Sequence, residues 1–111
     1  MEITINARHG KLPDSLRNQA NLRFSRFERI DRRLTSGALV IDGAARGYRA
    51  EARLIPAGGP PLISHAHAST LRAAIDGAFD RLERQLKRRR ERRVARRTRG
   101  VAVAVRDEVI P

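Results

Sequence analysis

Residues 48–86 read YRAEARLIPAGGPPLISHAHASTLRAAIDGAFDRLERQL, and the period of their apolar positions changes partway along. From Tyr48 to Ile55 the alternation has period two. Tyr48, Ala50, Ala52 and Leu54 share one face, and Arg49, Glu51 and Arg53 share the other, which is the pattern of a half-buried strand. Ala57-Gly58-Gly59-Pro60-Pro61 is punctuation that only a connection tolerates. Leu62 to Ala68 is a further strand, and the short link predicts an antiparallel hairpin. Ser69 and Thr70 are both suitable helix caps. After them Leu71, Ile75, Ala78, Phe79, Leu82 and Leu86 fall on one apolar stripe of a helix. Extended geometrically, that stripe reaches Arg89 and Arg93, which are not core residues, so the helix is expected to outrun the core. Gly100 is a candidate stop.

Upstream, Ile3, Ile5 and Ala7 alternate with Thr4, Asn6 and Arg8, which predicts a strand over 2–8. His9-Gly10-Lys11 reads as a turn. Pro13 suits a first helical position and Asp14 the positive end of a helix dipole. Leu16, Ala20, Phe24, Phe27 and Ile30 then form a single stripe, which predicts a helix over 13–30. Residues 34–43 read as a strand centred on Leu39-Val40-Ile41, with Asp42-Gly43 as a turn signal. The order is β-α-β-β-β-α. One apolar face per strand and one stripe per helix predict an α+β two-layer sandwich: a four-stranded, mainly antiparallel sheet with both helices packed on one face. The first strand, which crosses over through a helix, is expected to run parallel to its neighbour. Gly37 and Gly43 predict a shortened or bulged second strand. Gly77, in mid-helix, costs about 1 kcal/mol against alanine, so a close backbone approach is expected there.

The 111 residues carry 24 Lys and Arg against 12 Asp and Glu, a net charge of +12. One domain is the natural count for this length. The charge is concentrated. Lys87 to Arg99 reads KRRRERRVARRTR, nine basic residues and one acid. A solvated helix laced with i,i+4 pairs would need acids, and Glu91 is the only one in this run. Arginine forks onto phosphate and stacks on bases, so the run points to a polyanion. A second set, Arg17, Arg23, Arg26 and Arg29 on the first helix with Arg81 and Arg84 on the second, is open to two readings. It is a shared basic groove, or it is arginine snorkelling at the edge of a core. The partition expected is a binding domain over 1–99, with its basic helix end at 87–99, and a tail over 100–111. For the tail, where Val101, Val103 and Val105 alternate, an edge strand, a partner-binding segment and disorder all stay open.

Several function classes are disfavoured. No segment approaches the roughly 20 apolar residues that span a bilayer, and the opening residues lack the features of a signal peptide, so a bacterial cytoplasmic location is expected. In the basic run only Val94 and Ala95 are apolar, too few for a membrane-surface helix. Without cysteine there is no disulfide framework or thiol chemistry. His65 and His67 share one strand face, but nothing beside them completes a metal site; they read as exposed strand residues or RNA contacts, and no metal is expected. Gly58-Gly59 is no phosphate loop, because no Lys-Ser or Lys-Thr follows. No catalytic residue and no cofactor are expected.

Within the second helix, Ala73-Ala74-Ile75-Asp76-Gly77, then Asp80-Arg81-Leu82 and Gln85-Leu86, resembles the signature of the ribosome hibernation-promoting factors. These are also called ribosome-associated translation inhibitors or sigma-54 modulation proteins. Leu16-Arg17, Arg23-Phe24 with Phe27, Ile3-Thr4-Ile5 and Ile63-Ser64-His65-Ala66 agree, over about residues 1–93. The resemblance implies binding in the small-subunit channel where messenger and transfer RNAs lie, and inhibition by occlusion without chemistry. It implies ribosomal RNA contacts at Arg17, Arg23, Arg26, Arg81, Arg84, Arg88, Arg90 and Arg92. Lys87, Arg89 and Arg93 join this set from the charge pattern alone.

Arginine stands here at positions where the family often has lysine. The length implies a short form, one that either promotes ribosome dimers through another factor or silences single ribosomes. A monomer in solution with no small-molecule substrate is expected. Two competing classes are a double-stranded-RNA module and an interaction module for an acidic protein. The former shares the α-β-β-β-α order but places its charge at the start of the final helix, where Leu71-Arg72-Ala73-Ala74 is nearly uncharged.

Overall fold

The computed structural model describes the backbone of residues 1–8 and 10–109 and the side chains of residues 1–8 and 10–95. The elements are β1 (Glu2–Ala7), α1 (Asp14–Ile30), β2 (Leu34–Ala44), β3 (Gly47–Pro56), β4 (Leu62–Ala68) and α2 (Leu71–Val109). The sheet has four strands in the order β1-β2-β3-β4. β1 runs parallel to β2, with Ile3 opposite Gly37 and Ile5 opposite Leu39; the crossover that a parallel pair needs is α1. The other two pairings are antiparallel. The expected two-layer α+β architecture is thus realised, and β4 is an open edge.

Alternation places Leu39, Ile41, Ala50, Ala52, Leu54 and Ala66 beneath the helices, all buried. Phe24, Phe27 and Phe79 lock α1 to α2, with Phe24 edge-on to Phe79 at 5.1 Å and to Phe27 at 6.2 Å between ring centroids. Thr70, not Ser69, caps α2: its Oγ1 accepts the Ala73 N–H at 3.2 Å. Pro13 stands at the N-cap of α1, one place before the first helical residue. The glycines in β2 and α2 are close-contact positions. A Cβ on Gly37 would lie 2.7 Å from the Phe24 ring, and one on Gly77 would lie 3.0 Å from Ala66 Cβ. Next to Gly77, the buried Ser64 hydroxyl donates to the Ala78 carbonyl at 2.6 Å, tying β4 to α2.

Of the two alternatives for β2, shortened or bulged, the second fits: the strand runs to Ala44 and has a register shift between Leu34 and Ser36. Two expectations need correction. The turn is not at Asp42-Gly43, whose residues pair with Arg49 and Tyr48. It falls at Ala45-Arg46, where Arg46 adopts φ 61°. Gly47 follows because a Cβ there would collide with the Ala68 carbonyl. Finally, α2 passes through Gly100 to Val109, so neither the stop nor the edge strand over Val101, Val103 and Val105 is formed. A glycine permits a helix end without imposing one, and a single helical glycine costs only about 1 kcal/mol. The turn assigned to His9, and the end of the tail at residues 110–111, lie outside the described residues.

Candidate nucleic-acid interface

The last core residue of α2 is Leu86. Up to that point the helix has two polar flanks, and the structure distributes the sequence-predicted cations differently on each. On the flank facing α1, acids intervene. Arg23 Nη2 donates to Asp80 Oδ1 at 2.9 Å, and its guanidinium lies 5.5 Å from the Phe79 ring centre and 5.9 Å from that of Phe27. Arg23 is only 25% exposed, so it works chiefly as a clip between helices. Arg26 Nε lies 3.1 Å from Glu83 Oε1 and Lys87 Nζ lies 3.5 Å from Glu83 Oε2. Glu83 therefore offsets both. Of the second basic set read from sequence, Arg23 and Arg26 are thus compensated on this flank by Asp80 and Glu83, while Arg81 turns to the other flank.

The opposite flank leans over β4. Arg81 Nη1 donates to the His65 carbonyl at 2.6 Å, Gln85 Nε2 to the Ile63 carbonyl at 2.9 Å, and Arg89 Nη2 to the Gly58 carbonyl at 2.9 Å. These donors sit one helical turn apart, so they lie in a row. They reach the outward carbonyls of an edge strand and the loop before it, which covers part of the unpaired edge.

Past Leu86 the same flank bounds a cleft of about 620 Å³ between α2 and the β3–β4 connection. Arg33, Arg88, Arg89, Arg92 and Arg93 line it, with Gly59 and Pro60 on the loop side and no carboxylate among the lining residues. Asp31 stands behind it, 5% exposed. Arg93 Nη2 donates to Asp31 Oδ2 at 2.8 Å, and the Arg33 backbone N–H donates to Oδ1 at 2.9 Å. Burial alone would raise the Asp31 pKa. The Arg33 N–H, the hydrogen bond and charge of Arg93, and the charge of Arg89 together outweigh it and hold the carboxyl below its ordinary value.

Arg17, Arg84, Arg88, Arg90 and Arg92 have no ion pair or hydrogen bond from the side chain among the described residues. Arg90 lies on the α1 side with Ile30, Glu91 and Val94, bordering a second groove of about 480 Å³. Sequence reasoning missed Arg33, which reads simply as the end of α1, and the part played by Asp31; no periodic signal marks either.

The open face of the sheet is different in kind. Arg8 and Asp42 (3.7 Å) and Arg53 and Glu51 (2.9 Å) alternate in sign there, and His65 Nδ1 lies 3.6 Å from Glu51 Oε1. His65 and His67 do share that face, where His67 Nε2 lies 3.2 Å from the Ala45 carbonyl. Among the described residues, no three His, Asp or Glu side chains stand together as a metal site. Nor is any helix there long and apolar enough to cross a membrane.

This arrangement, two helices on one sheet face with an arginine-lined cleft beside α2 just past the core, lies within a recognised family. The profile described as sigma 54 modulation protein / S30EA ribosomal protein matches residues 3–94. The chain belongs to that family. Among curated relatives of this S30EA-family chain is a ribosome hibernation promoting factor from Azotobacter vinelandii. It is 29% identical over 96 residues, covering 86% of this chain and 89% of that protein. Among solved structures, the N-terminal domain of Protein Y from Thermus thermophilus superposes with a TM-score of 0.70 at 29% identity, covering 79% of this chain and 98% of that one. A ribosomal subunit interface protein from Coxiella burnetii superposes with a TM-score of 0.73 at 14% identity, covering 82% of this chain and 99% of that one; at that identity it speaks for the fold alone. The family match takes in the whole cleft and ends at Val94, within the basic run.

Proposed function

We propose that this chain binds the small ribosomal subunit and silences translation as a hibernation factor, by occupying the channel for messenger and transfer RNA. The observation that carries this reading is the arginine-lined stretch of α2 just past the core, where five guanidinium groups and no carboxylate line one cleft, in a chain of the S30EA family. The name of its curated relative, a ribosome hibernation promoting factor, supports the same direction. Arg17, Arg84, Arg88, Arg90 and Arg92, free of internal ion pairs, contact ribosomal RNA phosphates first. Arg89 and Arg93 contact them from fixed positions. Arg23, Arg26, Arg81 and Lys87 add charge while holding the helices and the β4 edge in place.

On this reading residues 1–99 are the binding domain, 87–99 its basic stretch, and 100–111 a tail into which α2 continues as far as Val109. The chain works as a cytoplasmic monomer. Occlusion makes and breaks no bond, so it requires no catalytic residue, metal or cofactor.

Co-sedimentation with purified small subunits tests this. Stoichiometric binding, displaced by messenger with P-site transfer RNA, is the expected result. Failure to bind subunits, together with tight binding to a free RNA duplex, would point to a double-stranded-RNA module. Capture of an acidic protein that survives ribonuclease would point to a protein-interaction module.

A further inference from the structure

We propose that the cleft between α2 and the β3–β4 connection is a preformed seat for RNA phosphodiester groups, with Asp31 and the Gly58-Gly59 pair as its positioning residues. The choice of RNA as ligand rests on the function proposed above; the seat itself rests on geometry. Most exposed arginines must lose rotamer freedom to grip a phosphate. Two of the five in this cleft have already done so. Arg89 is held by the Gly58 carbonyl at 2.9 Å and Arg93 by Asp31 at 2.8 Å. Arg33, Arg88 and Arg92 stand around them.

The loop is shaped for this contact. Gly58 and Gly59 have φ of 94° and 89°, the left-handed region that favours glycine. Two such residues in succession turn the Gly58 carbonyl towards α2. A Cβ on Gly59 would lie 2.8 Å from Arg89 Nη2, so a side chain there would push the guanidinium away. Arg89 Nη1 is enclosed and has no hydrogen-bond partner within the protein. Asp31 does not act as a competing anion, because it is buried and both its oxygens are engaged. At about 620 Å³ the cleft exceeds what one phosphate needs and falls in the range of sites that hold a nucleotide-sized group.

Asp31→Asn separates this seat from a diffuse basic field by the sign of its effect. The substitution removes a negative charge from a protein of net charge +12. A diffuse field therefore binds RNA as well or better. The seat binds it about tenfold more weakly, the scale of one lost charge-assisted hydrogen bond, because Arg93 is released while the Arg33 N–H keeps its acceptor. Full-length native and D31N proteins, each shown to be folded by circular dichroism, are titrated with purified small subunits at fixed salt. Arg89→Lys, which keeps the charge and loses the fork, is expected to weaken binding to a similar degree and covers the case in which D31N fails to fold. Arg72→Lys, at the far end of α2, serves as the unaffected control.

Folded D31N and R89K proteins that bind subunits as tightly as native overturn the proposal. Inorganic pyrophosphate and adenosine monophosphate identify the source of the phosphate. Weak competition with subunits, lost in D31N, supports an RNA seat. Tight binding of the free nucleotide, lost in D31N while subunit binding stays intact, assigns the seat to a free ligand and overturns the RNA assignment. If native protein binds no subunits but takes pyrophosphate in a D31N-sensitive way, the seat stands and the ribosomal reading fails.

Discussion

The two flanks of α2 use the same residue type for opposite ends. Towards α1, Arg23, Arg26 and Lys87 meet Asp80 and Glu83 at 2.9–3.5 Å, and their charge is consumed in joining the helices. Towards the β3–β4 connection, the arginines past Leu86 meet carbonyls, one buried carboxylate, or nothing. A count of basic residues treats the flanks alike. The placement of two acids, one turn of helix apart, makes one flank a seam and leaves the other with unspent positive charge. A cationic surface is therefore read by subtraction: the charges that matter for a polyanion are those the fold has not already paired.

The largest effect that probes this contrast is salt. If six to ten phosphates are contacted, small-subunit affinity falls by about 10³–10⁵ between roughly 50 and 200 mM salt; a flat profile in a sedimentation titration would show that the unspent charge is not the binding surface. Next comes charge reversal on the open flank. Arg88→Glu with Arg92→Glu removes two cations that have no internal partner, so binding drops at least about 100-fold while the melting temperature stays at the native value. Extending the reversal to Arg89 and Arg93 abolishes binding but also costs stability, because those two are tied to Gly58 and Asp31.

A smaller effect is expected on the compensated flank. Arg23→Ala removes an ion pair and a cation–π contact, and destabilises the fold by about 1–2 kcal/mol as measured by urea denaturation. Its subunit affinity changes far less than that of the double reversal. The opposite ordering would erase the distinction between seam and open flank. The smallest effect concerns pH. Asp31 has a lowered carboxyl pKa in the folded protein, so its contribution is complete above the ordinary value of 3.8 and is lost as pH falls through the folded value. The melting-temperature gap between native and D31N proteins should be constant near neutrality and close in acid below that point.

Much of the scaffold was legible because it is local. Period-two runs and helical stripes named every element, since each records which face a residue presents within its own segment. The family signature around Ala74-Ile75-Asp76-Gly77 was legible too, and Gly77 is explained by the approach of Ala66. The β2–β3 turn lies three residues beyond Asp42-Gly43, which is turn-like in composition but is held in pairing by β3. The helix end was misplaced because glycine merely permits a stop.

The sequence by itself determined the order of elements, the single core, and the concentration of charge between Lys87 and Arg99. Only the tertiary structure decided which of those charges are available. Arg23 finds Asp80 across 57 positions, Arg93 finds Asp31 across 62, and Arg89 finds Gly58 across 31. The physical reason is that periodicity fixes a residue's face within its own element, while its electrostatic partner is set by how distant elements pack together.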